Sequence, residues 1–369
     1  MPAISLRQEL FLALALIGLL GVGIAGYLIF NETKKTLQKQ ISNQLVTIRE
    51  SRAEEISQYF QSVENEAKLL ASSQLVIEAS KNFLDGFKEI NNNPLDSKVR
   101  DAVTEYYRNV WVPMLNKSSG EDNNPEDFIP VTKAAMTLQY EYILSNPFKK
   151  NADRILYDAG PSKSIYNKAH ATFNPRFRDF IKNYGFYDLF LVDPLSGQII
   201  YTAAKEVDFG TNLYVGPYKG SNLAQVVTEC ISNRPNEVCY ADFAFYAPSL
   251  GIPAGFIAVP VIDNGKLLTV MVLQLASSAI DNIMTANNRW QESGLGATGE
   301  VYLVGKDSLL RSNSRFFIED RKGYYADLVK RDFPESMIVD MERNNCSILL
   351  QSVFTDSVKN AFKNNSYIK

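Results

Sequence analysis

The stretch "FLALALIGLLGVGIAGYLIF", Phe11 to Phe30, contains no charged and no strongly polar side chain. Wound as a helix it reaches about 30 Å, the thickness of a bilayer's hydrocarbon core. A helix apolar on every side offers no face to water, which argues against an ordinary core helix. A cleaved signal peptide fits less well than a retained anchor. Its apolar core is usually shorter, and the small residues Gly21, Gly23 and Ala25 lie inside the run rather than after it. Residues 11–30 are therefore read as a transmembrane helix and residues 1–10 as a cytoplasmic N-terminus. Flanking charge mildly opposes this orientation, since Arg7 precedes the run and Lys34, Lys35 and Lys39 follow it. Long downstream domains translocate largely regardless of such charges.

Beyond the anchor, neither glycine nor proline occurs until Gly86. Leu37, Ile41, Leu45, Ile48, Ile56, Phe60, Val63, Ala67 and Leu70 recur at helical spacing. Residues 31–90 read as a long amphipathic stalk helix, roughly 80 Å if unbroken. Arg52 and Ser57 interrupt the heptad, so a pure coiled coil is not expected, but a homodimer through the stalk is. The polar signals "NNNP" and "NKSSGEDNNPED" then bracket helical pieces, and residues 91–180 read as mainly helical.

A β series follows. "YDLFLVD" and "QIIYTA" flank a "PLSG" turn, "NLAQVVTECIS" reads as a helix, and three strands come after it: "EVCYADFAFY", "GFIAVPVID" and "KLLTVMVLQL". An Asn264–Gly265 turn joins the last two. Two strands, a helical excursion and three antiparallel strands are the layout of a PAS-like module, placed at residues 181–285. "GLGATGE", Gly294 to Glu300, has the glycine spacing of a dinucleotide-binding loop. Its order is reversed, however, with a helix expected before it over "SSAIDNIMTANNRWQES" and a strand after it, so it is read as a helix stop. "EVYLVGKDS" and "LLRSNSR" should form a second hairpin, followed by helical material ending "SILLQSVFTDSVKNAFK".

With 46% hydrophobic residues and net charge −3, the chain has the material for real cores and no basic face for a nucleic acid. One histidine and three cysteines make a zinc site hard to build. No "G-x-S-x-G" elbow or other catalytic set occurs, so neither enzyme activity nor a cofactor is expected.

The stretches "LQYEYILSNPF", "YGFYDLFLVDPLSGQIIYTAAKEVDFGTNLYVGPY", "YAPSLGIPAGFIAVPVID" and "GLGATGEVYLVGKDSLLRSNSR", taken in order, resemble the extracytoplasmic double Cache region of bacterial transmembrane receptors. That family includes chemoreceptors, histidine kinases and membrane-bound adenylate or guanylate cyclases. The resemblance implies an α+β architecture: the anchor, the stalk, a membrane-distal Cache module, and a membrane-proximal module begun at residues 286–369 and incomplete. It also implies a single-pass protein of the inner membrane with its body in the periplasm. Its function would be to bind a small molecule in the distal module, with no output domain in these residues. The alternative is an anchored dimeric scaffold without a small ligand.

Polar groups expected to converge on a ligand in the distal module are His170, Arg178, Tyr187, Tyr201, Lys205, Asp208, Asp242 and Tyr246, with Tyr214 and Tyr218 nearby. Arg178 is favoured for an anionic ligand because its fork matches a carboxylate. His170 also reads as a structural histidine, and Lys205 with Glu206 as an ordinary solvated pair. Arg108 with Trp111 does not match the spacing of the amino-acid-sensing branch, so an amino-acid ligand is not expected. Arg311 and Arg315 in "RSNSR" suit either an anion or a structural role. Cys230 and Cys239 are a candidate disulfide across a short loop, leaving Cys346 over.

Overall fold

The structure, a computed structural model, describes residues 5–148, 150–232 and 237–363. The first four residues of the expected cytoplasmic N-terminus and the last six of the chain lie outside that range. Helix α1 (Leu6–Ala71) runs through the apolar segment and into the stalk without interruption. Its side chains from Phe11 to Phe30 are exposed throughout, and it is the one helix among the described residues long and apolar enough to cross a membrane.

The stalk predicted as one helix to residue 90 is two. Ser72 closes α1, and Ser73 takes an extended conformation with its side chain accepting from the Val76 amide, so it N-caps α2 (Gln74–Asn92). Two adjacent serines supply both the stop and the cap, a local signal easily lost inside a strong helical periodicity. The turn folds α2 back against the body. Gly86 makes that possible, because a Cβ there would lie 2.6 Å from the Tyr166 Cα of α6. Along α1, Ile56, Val63, Ala67 and Ala71 are buried against the body, whereas Leu37, Ile41 and Leu45 stay about half exposed.

Helices α3 (Ser97–Tyr106), α4 (Val112–Ser119), α5 (Lys133–Gln139) and α6 (Ile165–Tyr184) precede the sheet. Two five-residue π-helical segments interrupt them, Tyr107–Trp111 between α3 and α4 and Tyr140–Leu144 after α5. The sheet comprises β1 (Phe186–Val192), β2 (Ile199–Thr202), β3 (Cys239–Tyr246), β4 (Ile252–Asp263) and β5 (Lys266–Leu275), with α7 (Asn222–Ser232) between β2 and β3. All pairings are antiparallel and the order is β2-β1-β5-β4-β3. Asn264 and Gly265 both have positive φ, as a two-residue hairpin turn requires.

Both faces of this sheet are covered, so its central strands are apolar on both sides. Leu189, Leu191, Ile257, Val259, Met271 and Leu273 point into a first core closed by α1, α2 and α6. Their neighbours Phe190, Val192, Phe256, Ala258, Val270 and Val272 point into a second core, closed by α3, the first π-segment, α4 and α7. Burying a side chain of this size contributes roughly 1.5–3 kcal/mol. With two cores sharing one sheet, each strand is held from both sides.

After β5, α8 (Ser277–Thr285) stops eight residues short of the helix read from sequence. Ala286, Asn287 and Asn288 all adopt left-handed conformations, which asparagine tolerates and a helix does not. The expected second hairpin is reduced to isolated bridges, Val304↔Leu310 and Leu309↔Ser352. The expected closing helix covers only α12 (Asp356–Lys363), because residues around Ser352 bond back to that hairpin. Between them, α9 (Arg315–Glu319), α10 (Arg321–Lys330) and α11 (Glu335–Asn344) bury Phe317, Tyr324, Leu328, Ile338 and Met341 in a small core of their own.

"GLGATGE" forms a carbonyl cage for Arg315. The Arg315 side chain is buried, donates to the Gly296 and Gly299 carbonyls at 3.0 and 2.5 Å, and lies 4.9 Å from the Trp290 ring. Gly294 and Gly296 take positive φ, and Gln44 of α1 donates to the Gly294 carbonyl at 2.8 Å. The turn thereby ties the stalk to the C-terminal part. No disulfide joins Cys230 and Cys239: both are buried, and the Cys230 thiol is hydrogen-bonded to Cys239, with burial pushing it up to about 12.

Candidate functional site

The residues with the most unusual chemistry sit on the loop after β2. Its start is held by Asp188 of β1, whose carboxylate accepts from the amides of Leu189, Ala203 and Ala204 and from the Thr202 hydroxyl, all within 2.9 Å. Lys205 then takes a left-handed conformation, φ 59°. That turn sends neighbouring side chains to opposite sides of the sheet. Lys205 reaches into the first core, donating to Asn174 Oδ1 at 3.1 Å and to the Ala203 carbonyl at 3.0 Å. Glu206 bridges the Tyr187 and Ser249 hydroxyls at 2.7 and 2.6 Å. Asp208 enters the second core, where Tyr246 donates to Oδ2 at 2.6 Å.

The three carbonyls of residues 207–209 are all held. Gln139 donates to the Val207 and Phe209 carbonyls at 2.8 and 2.9 Å, and Tyr107 donates to Gln139 Oε1 and the Val207 carbonyl. The Asp208 carbonyl accepts from the Thr211 amide and hydroxyl. Gln139 and Tyr107 stand at the junctions with the two π-helical segments, elements that recur at functional positions. Three buried oxygens meet no protein partner: Asp208 Oδ1, Asn222 Oδ1 and Gln274 Oε1. The Tyr218 phenol is hydrogen-bonded to the Tyr107 phenol beside it. Trp111, Phe128 and Tyr218 continue the aromatic wall from Tyr107, and Tyr246 packs on Phe256 at 5.1 Å between ring centres. Asp208, Tyr107 and Tyr246 are closed to solvent.

Electrostatically this is an acidic interior. Burial pushes Asp188 up to about 6 and Glu206 up to about 7. Burial, reinforced by the charges of Glu206 and Asp188, holds Asp208 well above the usual carboxylate range. In the first core the same desolvation acts on bases: it brings Lys205 down to about 7 and, with the Lys205 charge adding to it, holds His170 well below the usual imidazole range. His170 Nδ1 lies 2.7 Å from the Asp158 carbonyl and therefore carries the ring proton. Its ring stacks at 4.3 Å on Tyr142, and Nε2 is buried without a partner.

The eight residues expected to share one ligand are thus divided among three places. His170, Arg178, Tyr201 and Lys205 gather around Asn174 and Asp158 beside the first core; Tyr187, Asp208 and Tyr246 belong to the loop and second core. Asp242 is on the surface of β3, paired with Arg311 at 2.9 Å. Arg178 Nη1 already donates to Asp158 Oδ1 at 2.7 Å, so the guanidinium expected to take an anion has a carboxylate partner within this chain. Lys205 and Glu206 are not a solvated pair, since both are buried and bond to different partners. Arg311 bonds Asp242 and Asp307, so both candidate arginines of "RSNSR" serve structure. Tyr214 is part-exposed and donates to the Pro194 carbonyl, away from the cluster. Sequence reasoning missed Gln139, Tyr107, Asn222, Gln274 and Ser249. The one local signal for them is the charge-rich "KEVD" set inside an otherwise apolar stretch. A polar groove of about 430 Å³ also opens between α1 and the turn after α8, beside Arg52, Glu55, Asn282 and Arg289, and includes none of the expected residues.

No protein-family model matches the chain, and no curated protein does. Among solved structures it is similar to the sensor domain of the Vibrio cholerae histidine kinase DctB, with 19% identity over 50% of this chain and 59% of that one, TM-score 0.24. It is also similar to the ligand-binding domain of the Pseudomonas fluorescens chemoreceptor CtaA, solved with L-serine (16% identity, 58% and 73% covered, TM-score 0.26) and with L-isoleucine (15%, 62% and 68%, TM-score 0.24). The match thus spans less than two thirds of the DctB domain. Likenesses at this level carry no weight for function, which rests on this chain's own geometry.

Proposed function

We propose that this chain is the sensing region of a membrane-anchored receptor, with its body outside the cytoplasm, and that a small molecule binds on the second-core face of the five-stranded sheet. The carrying observation is the loop at Asp208. Gln139 grips the carbonyls on either side of Asp208, yet the Asp208 Oδ1 is buried without a partner. Buried polar groups are normally satisfied, and leaving one unmade costs about 1–3 kcal/mol. A held loop that leaves a buried carboxylate oxygen unmet is arranged for an occupant. Since the cluster is closed, occupancy requires the π-helical cover or Tyr246 to move, and that motion is what a sensor needs, because a ligand shifts an equilibrium only by binding one arrangement better. The stripe Leu37, Ile41 and Leu45, exposed on α1 between the apolar segment and the body, supports pairing of two copies through the stalk.

The test is a thermal-shift screen of the full chain in nanodiscs against a chemically broad metabolite set. A ligand at a hundred times its Kd raises stability by about 2.7 kcal/mol. The reading expects at least one compound to raise the melting temperature and Asp208→Asn to cancel that rise. A set without effect would favour an anchored scaffold.

A further inference from the structure

We infer that the groove between α1 and the turn after α8 is a binding site of its own, and that it takes a small monocarboxylate on the free edge of the Arg52 guanidinium. The inference goes beyond the sensor reading above and does not depend on the loop at Asp208.

Arg52 breaks the pattern of its own helix. It stands four residues after Ile48 and four before the buried Ile56, on the stripe that α1 turns toward the body, where an apolar side chain is expected. Its side chain is only 12% exposed. Glu55 answers it from the same helix, but both bonds, at 2.7 and 2.6 Å, come from Nη1. Such an i,i+3 pair forms as readily on the solvent face of a helix, so it does not account for the position. Nε is buried and meets no partner. A guanidinium carries five donors in a rigid fork, and its Nε–Nη2 edge matches the two oxygens of a carboxylate. Arg52 keeps that edge open while lining the groove of about 430 Å³, a size common among small-molecule sites.

The opposite wall supplies the remaining contacts. Asn282 of α8 and Asn287 of the turn bring exposed amide side chains to the groove. Arg289 adds a second guanidinium, held loosely by Glu292 at 3.7 Å. The turn itself is strained: Ala286, Asn287 and Asn288 are left-handed one after another, with φ of 54°, 56° and 63°. Such backbone concentrates at ligand clamps, where the surroundings over-determine it. Charge limits the guest. Glu55 and Glu292 balance Arg52 and Arg289, so the groove has no surplus positive charge for a polyanion. It suits one carboxylate on the fork, with an uncharged remainder lying along Ile283. Gln44 already joins α1 to this turn by donating to the Gly294 carbonyl at 2.8 Å. A carboxylate bonded to Arg52 on one wall and to Asn287 on the other ties the stalk to the turn a second time.

The experiment uses the full chain in nanodiscs, titrated calorimetrically and by thermal shift at constant ionic strength. The probes are acetate, propionate and benzoate, with their amides as the neutral arm and citrate and phosphate as the polyanionic arm. The expected result is binding and a raised melting temperature with at least one monocarboxylate and neither effect with its amide. Arg52→Lys keeps the charge beside Glu55 but has no fork, and should weaken that binding about tenfold or more. Arg49→Gln removes a neighbouring guanidinium that pairs with Glu50 outside the groove, and should leave the binding unchanged. Asn287→Gly takes away the opposite amide at a backbone glycine adopts freely, so it should weaken binding without lowering the ligand-free melting temperature, and it guards against a folding failure in the first variant. No monocarboxylate binding, binding kept in full by both Arg52→Lys and Asn287→Gly, or equal loss in Arg49→Gln overturns the site. Binding confined to citrate and phosphate overturns the monocarboxylate assignment. Binding abolished by Asp208→Asn and untouched by Arg52→Lys moves the ligand to the sheet, which overturns the groove and leaves the sensor standing.

Discussion

Glu206→Gln isolates one buried carboxyl without changing its size. Glu206 is raised from 4.5 to about 7, chiefly by burial, against the lowering hydrogen bonds from Ser249 and Tyr187. The sign follows from linkage. Below pH 4.5 both folded and unfolded chains hold the proton, and ionisation costs nothing. Between 4.5 and 7 the unfolded chain releases it while the folded chain keeps it, so wild-type stability falls by about 1.4 kcal/mol per pH unit. Above 7 both are ionised and the loss levels off at about 3 kcal/mol. Glutamine does not titrate, so the variant escapes this loss. Its amide still accepts from one hydroxyl and can donate to the other, so the pH-independent difference should stay within about 1 kcal/mol. A second effect adds to the first. The Glu206 charge helps hold Asp208 up, so its removal lets Asp208 ionise at lower cost. Guanidinium unfolding of both full-length proteins in detergent, followed by near-UV circular dichroism at pH 5, 6.5 and 8, measures the difference. The variant should gain on the wild type by about 3 kcal/mol between the extremes. Parallel stability curves would refute the claim that this carboxyl is desolvated in the folded chain.

Other consequences are open to direct measurement. His170 acts with the opposite sign: its folded value lies well below 6.5, so stability is lost as pH falls from 6.5 toward that lower value, and His170→Phe should flatten this acid-side loss in the same unfolding series. Gly86→Ala places a methyl against the Tyr166 backbone and should cost about 1–3 kcal/mol by forcing α2 from α6, read as a lower melting temperature. With burial pushing both Cys230 and Cys346 up to about 12, iodoacetamide at pH 8 should leave them unmodified in the folded protein and alkylate them in guanidinium, as mass spectrometry would show. Arg311→Met removes paired bonds to Asp242 and Asp307, so limited proteolysis should cut residues 301–363 earlier while the sheet resists as before.

Several features were legible along the chain because they depend on neighbours in sequence. The apolar run of residues 11–30, the alternation of β1 and β5, the Asn264–Gly265 turn and the helical stripe from Leu37 to Leu70 are patterns that backbone geometry imposes within a few residues. They were enough for an α+β chain with a five-stranded antiparallel sheet behind an anchor. Only the tertiary structure decided where the polar residues went. Lys205, Glu206 and Asp208 are nearly adjacent in sequence, yet one left-handed residue and the contacts it permits send Lys205 toward α6 and Asp208 toward Tyr246. Asp158, far from Arg178 in sequence, took the guanidinium that had looked free for a ligand. Gln139, inconspicuous on α5, turned out to grip both carbonyls flanking Asp208. Periodicity says which residues share a face. It cannot say which buried oxygen will be left without a partner, because that is settled by groups brought together across the whole length of the chain.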